Sequence, residues 1–386
     1  MIIGIVGGIL QGMEAVYLCK HAGYTSLVID RNPNAPAMSI SDRKEVCDVV
    51  KEEARAREIF SQCDAVIPAV EEIEVLETLD RVLGEMDIPF LFDIRSYKTS
   101  CSKEKSNELM SRLGTPIPQP WPECGFPIIV KPSCQSGSIG VSAVNDEEER
   151  QRAPKVVEKL GDTPIKQEFV HGKSVSIDVI GNGTSARSYV TTEVILDSNY
   201  DCKQVLCENR VLPEEDRILF EKIGKDLGEG LGLNALMDVE AIYTKKGLRV
   251  LEIDARIPSQ TPACICAATG INLLEELVCS KLGRESGKVA HDGCAIYEHY
   301  IVRGDNLCTC GEKEFSHVEN PVYVEGFFGA DEAITDYRSG KAEWRCTVIH
   351  TGKDFQDALW KKKQFITSVM ESCDLDEYID RAPEMI

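Results

Sequence analysis

"LEIDARIPSQTP" (residues 251–262) sets Glu252, Asp254 and Arg256 on alternate positions, and alternate side chains of a strand share one face. Two carboxylates and a guanidinium on one face of an apolar strand have two readings. One is a solvated edge strand with a chance ion pair. The other is a metal–phosphate site, in which carboxylates hold a divalent cation and the arginine meets phosphate oxygens. Fifteen residues earlier, "LMDVEAIY" (236–243) reads as a second strand with Asp238 and Glu240 on one face, and Lys245, Lys246 and Gly247 supply the turn of a hairpin. Antiparallel pairing then brings Asp238 or Glu240 across from Glu252 and Asp254. Carboxylates massed on an apolar hairpin repel one another unless a cation lies between them. Hard oxygen donors favour Mg2+, which takes one or two carboxylates together with substrate phosphates.

Upstream, three stretches have phosphate or nucleotide readings. "FPIIVKP" (126–132) ends in Lys131; a lysine there either snorkels to the surface or presents its charge to an anion. The loop "SCQSGSIG" (133–140) follows. Its Ser133, Ser136, Gly137 and Ser138 offer hydroxyls and accessible amides that can fold over phosphates, or simply form a flexible hairpin tip. "KQEFVHG" (166–172) runs from an alternating strand into a His-Gly pair, and its backbone is placed to face an adenine edge. Lys103 opens the helix that Gly114 stops; alone it is an ordinary surface lysine.

The first ~95 residues alternate strand and helix: "IIGIVG", "GMEAVYLCKHAG", "SLVID", "DAVIPAV", "EEIEVLETLDRVLGEM" and "PFLFD", the pattern of a parallel, doubly wound sheet. Longer strands take over from about residue 165, and the last ~90 residues read as further strands and a terminal helix. The first turn tempts one toward NAD, with Asp30 ending the next strand where an acid would hold a ribose. Its glycines fall at Gly7, Gly8 and Gly12, so G-x-G-x-x-G is not met. A nucleotide or small-ligand crevice fits better: Gln11 sits where its side chain can reach into it, and Glu71 stands at the end of another parallel strand, where such sheets bind ligands. Glu71 reads equally well as an acid favoured at a helix N-terminus.

The chain has 386 residues, enough for two or three domains. A net charge of −21 argues against nucleic acid as a partner. No run is long and apolar enough for a membrane span, and "MIIGIVGGIL" reads as a strand without an export signal. The sixteen cysteines contain no C-x-x-C. They are expected as thiols of a cytoplasmic protein.

Taken in order, Lys103, Lys131, the glycine-rich loop and the acidic hairpin resemble the ATP-grasp superfamily. The stretches "GGILQGMEA", "VKPSCQSGSIG", "NYDC", "LMDVEAI", "GLRVLEIDARIPSQTP", "GINLLEEL" and "IYEH" resemble, more narrowly, a ligase family of pyrrolysine biosynthesis. The resemblance covers the chain to about residue 300. It implies an ATP-grasp α/β fold with three parts: an N-terminal Rossmann-like parallel-sheet domain (1–95), a small lid-bearing central subdomain (96–165) and a larger mixed C-terminal subdomain carrying the metal site (166–386). It implies ATP and Mg2+ as cofactors, and methylornithine and L-lysine as substrates. Lys103 and Lys131 match the ATP lysines, Gln167, Glu168, Phe169 and Val170 the adenine segment, and Glu240, Glu252 and Asp254 the metal ligands. Asp254 departs from the usual Asn, and Ser174 stands where a ribose-binding Glu is often found.

The implied reaction phosphorylates a carboxylate, with Arg256 and Lys131 offsetting charge on the transferring group, and an amine then attacks the acyl phosphate. Both substrates carry amines. Asp238, with Ser176 and Asp178 in support, is the candidate acceptor for ornithine, and Ser259 and Gln260 for its reacting end. Gln11 and Glu71 are the candidates for lysine, and Leu10 is a further substrate-binding candidate. A homodimer is a common form of such ligases. An ATP-grasp ligase for other amino acids, an NAD-dependent oxidoreductase and a non-catalytic nucleotide sensor remain as alternative readings.

Overall fold

The computed structural model describes residues 1–134, 139–284, 286 and 291–383. The chain forms two compact units. The first contains residues 1–94, 192–211 and 256–386, and the second 95–191 and 212–255. Residues 166–191 and 212–255, which the sequence suggests belong with the C-terminal segment, thus cluster with 95–165.

In the first unit a parallel sheet has the order Arg43–Val46, Thr25–Asp30, Ile2–Val6, Ala65–Pro68. Its inner strands are mostly apolar at their centres because both faces are covered: Ile3, Ile5, Leu27 and Ile29 are fully buried. The helix Leu10–His21 is buried from Gly12 to Cys19, which is why it carries no polar stripe. The turn before it needs its glycines. Gly7 has φ +110°, and a Cβ there would stand 2.4 Å from the Ala69 carbonyl oxygen; one on Gly12 would stand 2.3 Å from the Gly7 carbonyl. "PFLFD" is not a strand. Only Phe90 bridges to Val66; Pro89 has no N–H to extend a ladder, and the helix Ile94–Ser100 begins almost at once.

The rest of the first unit is mainly antiparallel. Strands Cys202–Cys207, Cys294–Arg303, Glu343–Gly352, Glu332–Thr335 and Val322–Glu325 follow one another in that order. The helix Phe355–Ser372 buries Ala358, Phe365 and Val369, the last two in a core with Tyr300 and Trp344.

The second unit carries a small antiparallel sheet, Ser142–Val144, Ile128–Pro132, Pro164–Glu168. The helix Glu147–Lys159 supplies Ala153 and Val157 to its core with Ile128, Val130 and Val144. A second antiparallel run joins Gly247–Asp254, Leu236–Thr244 and Lys173–Gly181. Strand Ala186–Leu196 carries the chain from one unit into the other. Among the described residues no single helix is long and apolar enough to cross a membrane.

Candidate active site

The hairpin of the second unit sets its carboxylates in direct register. Asp238 pairs with Asp254 and Glu240 with Glu252. On the other edge of the Leu236–Thr244 strand, Asp238 pairs with Asp178 and Glu240 with Ser176. Two cross-strand rows result: Asp254–Asp238–Asp178, and Glu252–Glu240–Ser176. Asp178 and Ser176 are almost fully buried and Asp238 is 5 % exposed, whereas Glu240, Glu252 and Asp254 are only partly covered.

Two lysines converge on the outer row. Lys103 heads the helix Lys103–Arg112, which Ser102 caps through the Lys105 amide, and its Nζ lies 3.1 Å from Glu252 Oε2. Lys131 reaches the same oxygen at 3.9 Å and donates to the Leu251 carbonyl at 3.4 Å. Burial works against the Lys103 charge, but Glu252, with Asp254 and Glu240, holds its pKa above the usual lysine value. At Lys131 burial wins: only partly offset by Glu252, and with Lys103 adding repulsion, it depresses the pKa. Two lysine side chains therefore meet at one carboxylate oxygen, Glu252 Oε2.

Ser133 accepts at 2.9 Å through its carbonyl from the Lys103 amide, so the end of the Ile128–Pro132 strand and the Lys103 helix start are tied together. Ser136, Gly137 and Ser138 lie outside the described residues. Strand Pro164–Glu168 pairs with the Lys131 strand, Gln167 opposite Ile129 and Ile165 opposite Lys131. The amides of Glu168 and Phe169 donate to the Gln119 and Pro127 carbonyls. Among the described residues no three His, Cys, Asp or Glu side chains form a ready cation cage. The donor set still fits Mg2+, whose shell is completed by phosphate oxygens and water rather than by protein alone.

The first unit gathers the other predicted residues. Glu71 Oε1 accepts from Gln11 Nε2 at 3.0 Å and pairs with Arg256 Nε at 2.8 Å. Glu71 thus holds its expected companion Gln11 and also Arg256, which the family resemblance sets beside the transferring phosphoryl group. Asp30 closes the first turn, accepting from the Gly8 and Asn32 amides at 2.7 Å each. Leu10, Ser259 and Gln260 line one partly open cavity, together with Glu14, Tyr297 and Phe315.

Several polar groups here had no signal in the sequence. Glu312 accepts from Ser259 Oγ at 2.6 Å and from Gln260 Nε2 at 3.2 Å. Glu14 is buried and accepts from the Ala263 amide at 2.6 Å; burial, partly offset by the Ala263 and Gln260 amides, pushes its pKa up to about 8. Glu332 takes the Tyr17 and Tyr323 hydroxyls, each at 2.7 Å, and His21 Nε2 at 3.2 Å. Burial opposes the Glu332 charge, but these three donors hold its pKa below the usual value. Apart from Tyr323, on the strand paired with that of Glu332, each partner comes from a distant part of the chain, so no local spacing announces the contact.

Residues 101–260 match the ATP-grasp domain family. The chain is 37% identical over 318 residues to the 3-methyl-D-ornithine–L-lysine ligase of Methanosarcina barkeri, covering 81% of this chain and 84% of that protein. It is 34% identical over 374 residues to the enzyme of the same name from Methanosarcina acetivorans, covering 94% and 95%. The biotin carboxylase of Campylobacter jejuni, solved as a β,γ-ATP complex, superposes with a TM-score of 0.74 at 16% identity, covering 95% of this chain and 91% of that one. The fold is ATP-grasp.

Proposed function

This chain belongs to the 3-methyl-D-ornithine–L-lysine ligase family of ATP-grasp enzymes, and from that premise we propose how its residues divide the reaction. It is an ATP-dependent, amide-forming ligase of pyrrolysine biosynthesis. The α-carboxylate of 3-methyl-D-ornithine attacks the γ-phosphorus of ATP and ADP leaves. The ε-amine of L-lysine then attacks the acyl carbon and phosphate leaves. The nitrogen loses its second proton, and the products are the isopeptide, ADP and phosphate.

The observation that carries this reading is the convergence of Lys103 and Lys131 on Glu252 beside the two carboxylate rows. Lys131, buried and short of negative partners, stabilises the charge on the transferring phosphoryl group. Lys103 holds ATP oxygens, Ser133 belongs to the covering loop, and Gln167 to Val170 hold the adenine. Glu240, Glu252 and Asp254 would hold Mg2+, which supplies charge neutralisation on the phosphates when bound. Asp238, with Asp178 and Ser176 beside it in register, receives an ornithine ammonium.

In the first unit Arg256, oriented by Glu71, meets anionic oxygens, and Leu10, Gln11, Glu71, Ser259 and Gln260 receive lysine. Ser259 and Gln260 were expected at the ornithine end; their common cavity with Leu10 favours lysine. Glu312, held by both, adds the carboxylate that a lysine ammonium needs.

The test is incubation with Mg-ATP, D-ornithine in place of the methylated substrate, and L-lysine, with omissions of each. ADP release that requires both amino acids, with a product of their summed mass less one water, is the expected result. ADP release without that product points to an ATP-grasp ligase for another pair.

A further inference from the structure

Two of the sequence stretches that mark the family, "NYDC" and "IYEH", have no part in the chemistry above, yet both converge on one short turn of the first unit. The helical turn Glu312–Phe315 follows Gly311 and carries Glu312 toward Ser259 and Gln260. At its start, Asp201 Oδ2 accepts from the Lys313 amide at 2.9 Å. The Asp201 carboxyl lies flat on Gly311, where a Cβ would stand 2.2 Å from the same oxygen; any larger residue at 311 would expel it. At its end, Phe315 stacks on the His299 ring, with centroids 4.5 Å apart and planes 17° from parallel. His299 is fully buried and Thr347 Oγ1 meets its Nδ1 at 2.5 Å. Burial drives the His299 pKa down to about 3, so the ring is neutral and serves as a rigid plate.

The hairpin holding Asp201 is itself fixed. Asp197 accepts from the Asn199 amide at 2.7 Å and the Asp201 amide at 3.1 Å, and Tyr200 takes a left-handed φ of 59° to close the turn. The next residue, Cys202, donates its thiol to Gln260 Oε1 at 2.7 Å. That leaves the Gln260 amide nitrogen for Glu312. One hairpin thus orients two members of the polar trio: Glu312 through Asp201, and Gln260 through Cys202.

We infer that Asp201 is a positioning residue for recognition of the amine substrate, acting through Glu312 and not touching substrate itself. The "NYDC" hairpin and His299 grip the Glu312 turn from its two ends, so that Ser259, Gln260 and Glu312 form a preorganised receptor for the lysine ammonium. This rests on the assignment of that trio to lysine made above.

The test is steady-state kinetics on Asp201→Ala, Asp201→Asn, Glu312→Gln and the Asp201→Ala/Glu312→Gln double variant, with thermal unfolding on each. Asp201→Ala is expected to raise the KM for lysine about tenfold, with kcat and the KM for ATP within about twofold of the parent. Asp201→Asn keeps an acceptor for the Lys313 amide and is expected to recover most of that loss. In the Glu312→Gln background the Asp201→Ala change should add nothing, since its route runs through Glu312.

Parallel losses in kcat and in the KM for every substrate would reduce Asp201 to a structural cap and overturn the inference. So would full additivity in the double variant, or an unchanged lysine KM in a folded Asp201→Ala. An unchanged lysine KM in Glu312→Gln would instead remove the trio from the lysine site, and the inference with it. A parent enzyme that forms amide with another amine and never with lysine would overturn the functional reading itself.

Discussion

The acidic hairpin of the second unit and the polar trio of the first are both small clusters of carboxylates and their partners, yet they are encoded differently. In the hairpin, Asp238, Glu240, Glu252 and Asp254 lie within seventeen residues of sequence, and strand period alone puts each pair on one face before any folding is known. The trio is assembled from Ser259–Gln260 and from Glu312, about fifty residues further on, and is braced by Asp201 from a hairpin turn and His299 from another strand. The hairpin is a local pattern, carried by strand period and cross-strand register. The trio exists only once the antiparallel sheet has formed.

That contrast sets the expected effects of substitution. The largest belongs to the hairpin. Glu252→Gln removes the charge shared by Lys103 and Lys131 and is expected to lower turnover by about two to three orders of magnitude, with circular dichroism unchanged. Near-normal activity and Mg2+ dependence would break the assignment.

Lys131→Met keeps the buried stem and deletes the ammonium. It is expected to cost about a hundredfold in kcat/KM for ATP, with the KM for lysine little changed. A selective loss toward lysine would erase the division between the two regions.

A smaller effect is expected on the other side. Glu71→Ala releases Gln11 and Arg256 together and should raise the lysine KM about tenfold or less. An unchanged value would remove Glu71 from the lysine side.

The smallest effect is one of stability. Glu14 titrates near 8 in the fold, against about 4.5 in the unfolded chain. The native state then binds the extra proton between those values, so Glu14 erodes stability as pH rises from about 4.5 to 8 and leaves it flat above. Glu14→Gln, which keeps an acceptor for the Ala263 amide, is expected to flatten that decline by about 1–3 kcal/mol, read from urea unfolding at pH 5, 7 and 9. An identical pH slope in the variant would place the Glu14 pKa elsewhere.

Much of the fold was legible because its elements announce themselves locally. The Val-Ile-rich strands 2–6 and 25–30, the acidic start of the helix Glu147–Lys159 and the turn at Gly247 all follow from pattern and turn chemistry. The helix Leu10–His21 was legible only from its glycine turn, because burial on nearly every side erased its periodicity. "PFLFD" misled because an apolar run of strand composition contained a proline at the point where a ladder would need an N–H. In the site, Lys103 carried no signal of its own; the family resemblance singled it out, and the structure sets it on Glu252. Glu14, Glu312 and Glu332 could not be read at all. Each meets at least one partner more than fifty residues away, and a lone Glu on a helix or strand looks like solvated surface until that partner is known.

The central claim is activation of a carboxylate as its acyl phosphate. The most direct measurement uses D-ornithine with heavy oxygen in its carboxylate, incubated with Mg-ATP and L-lysine, and mass analysis of the released phosphate and the amide. The account predicts one heavy oxygen in phosphate for every amide formed. Phosphate without heavy oxygen, while amide accumulates, would contradict it.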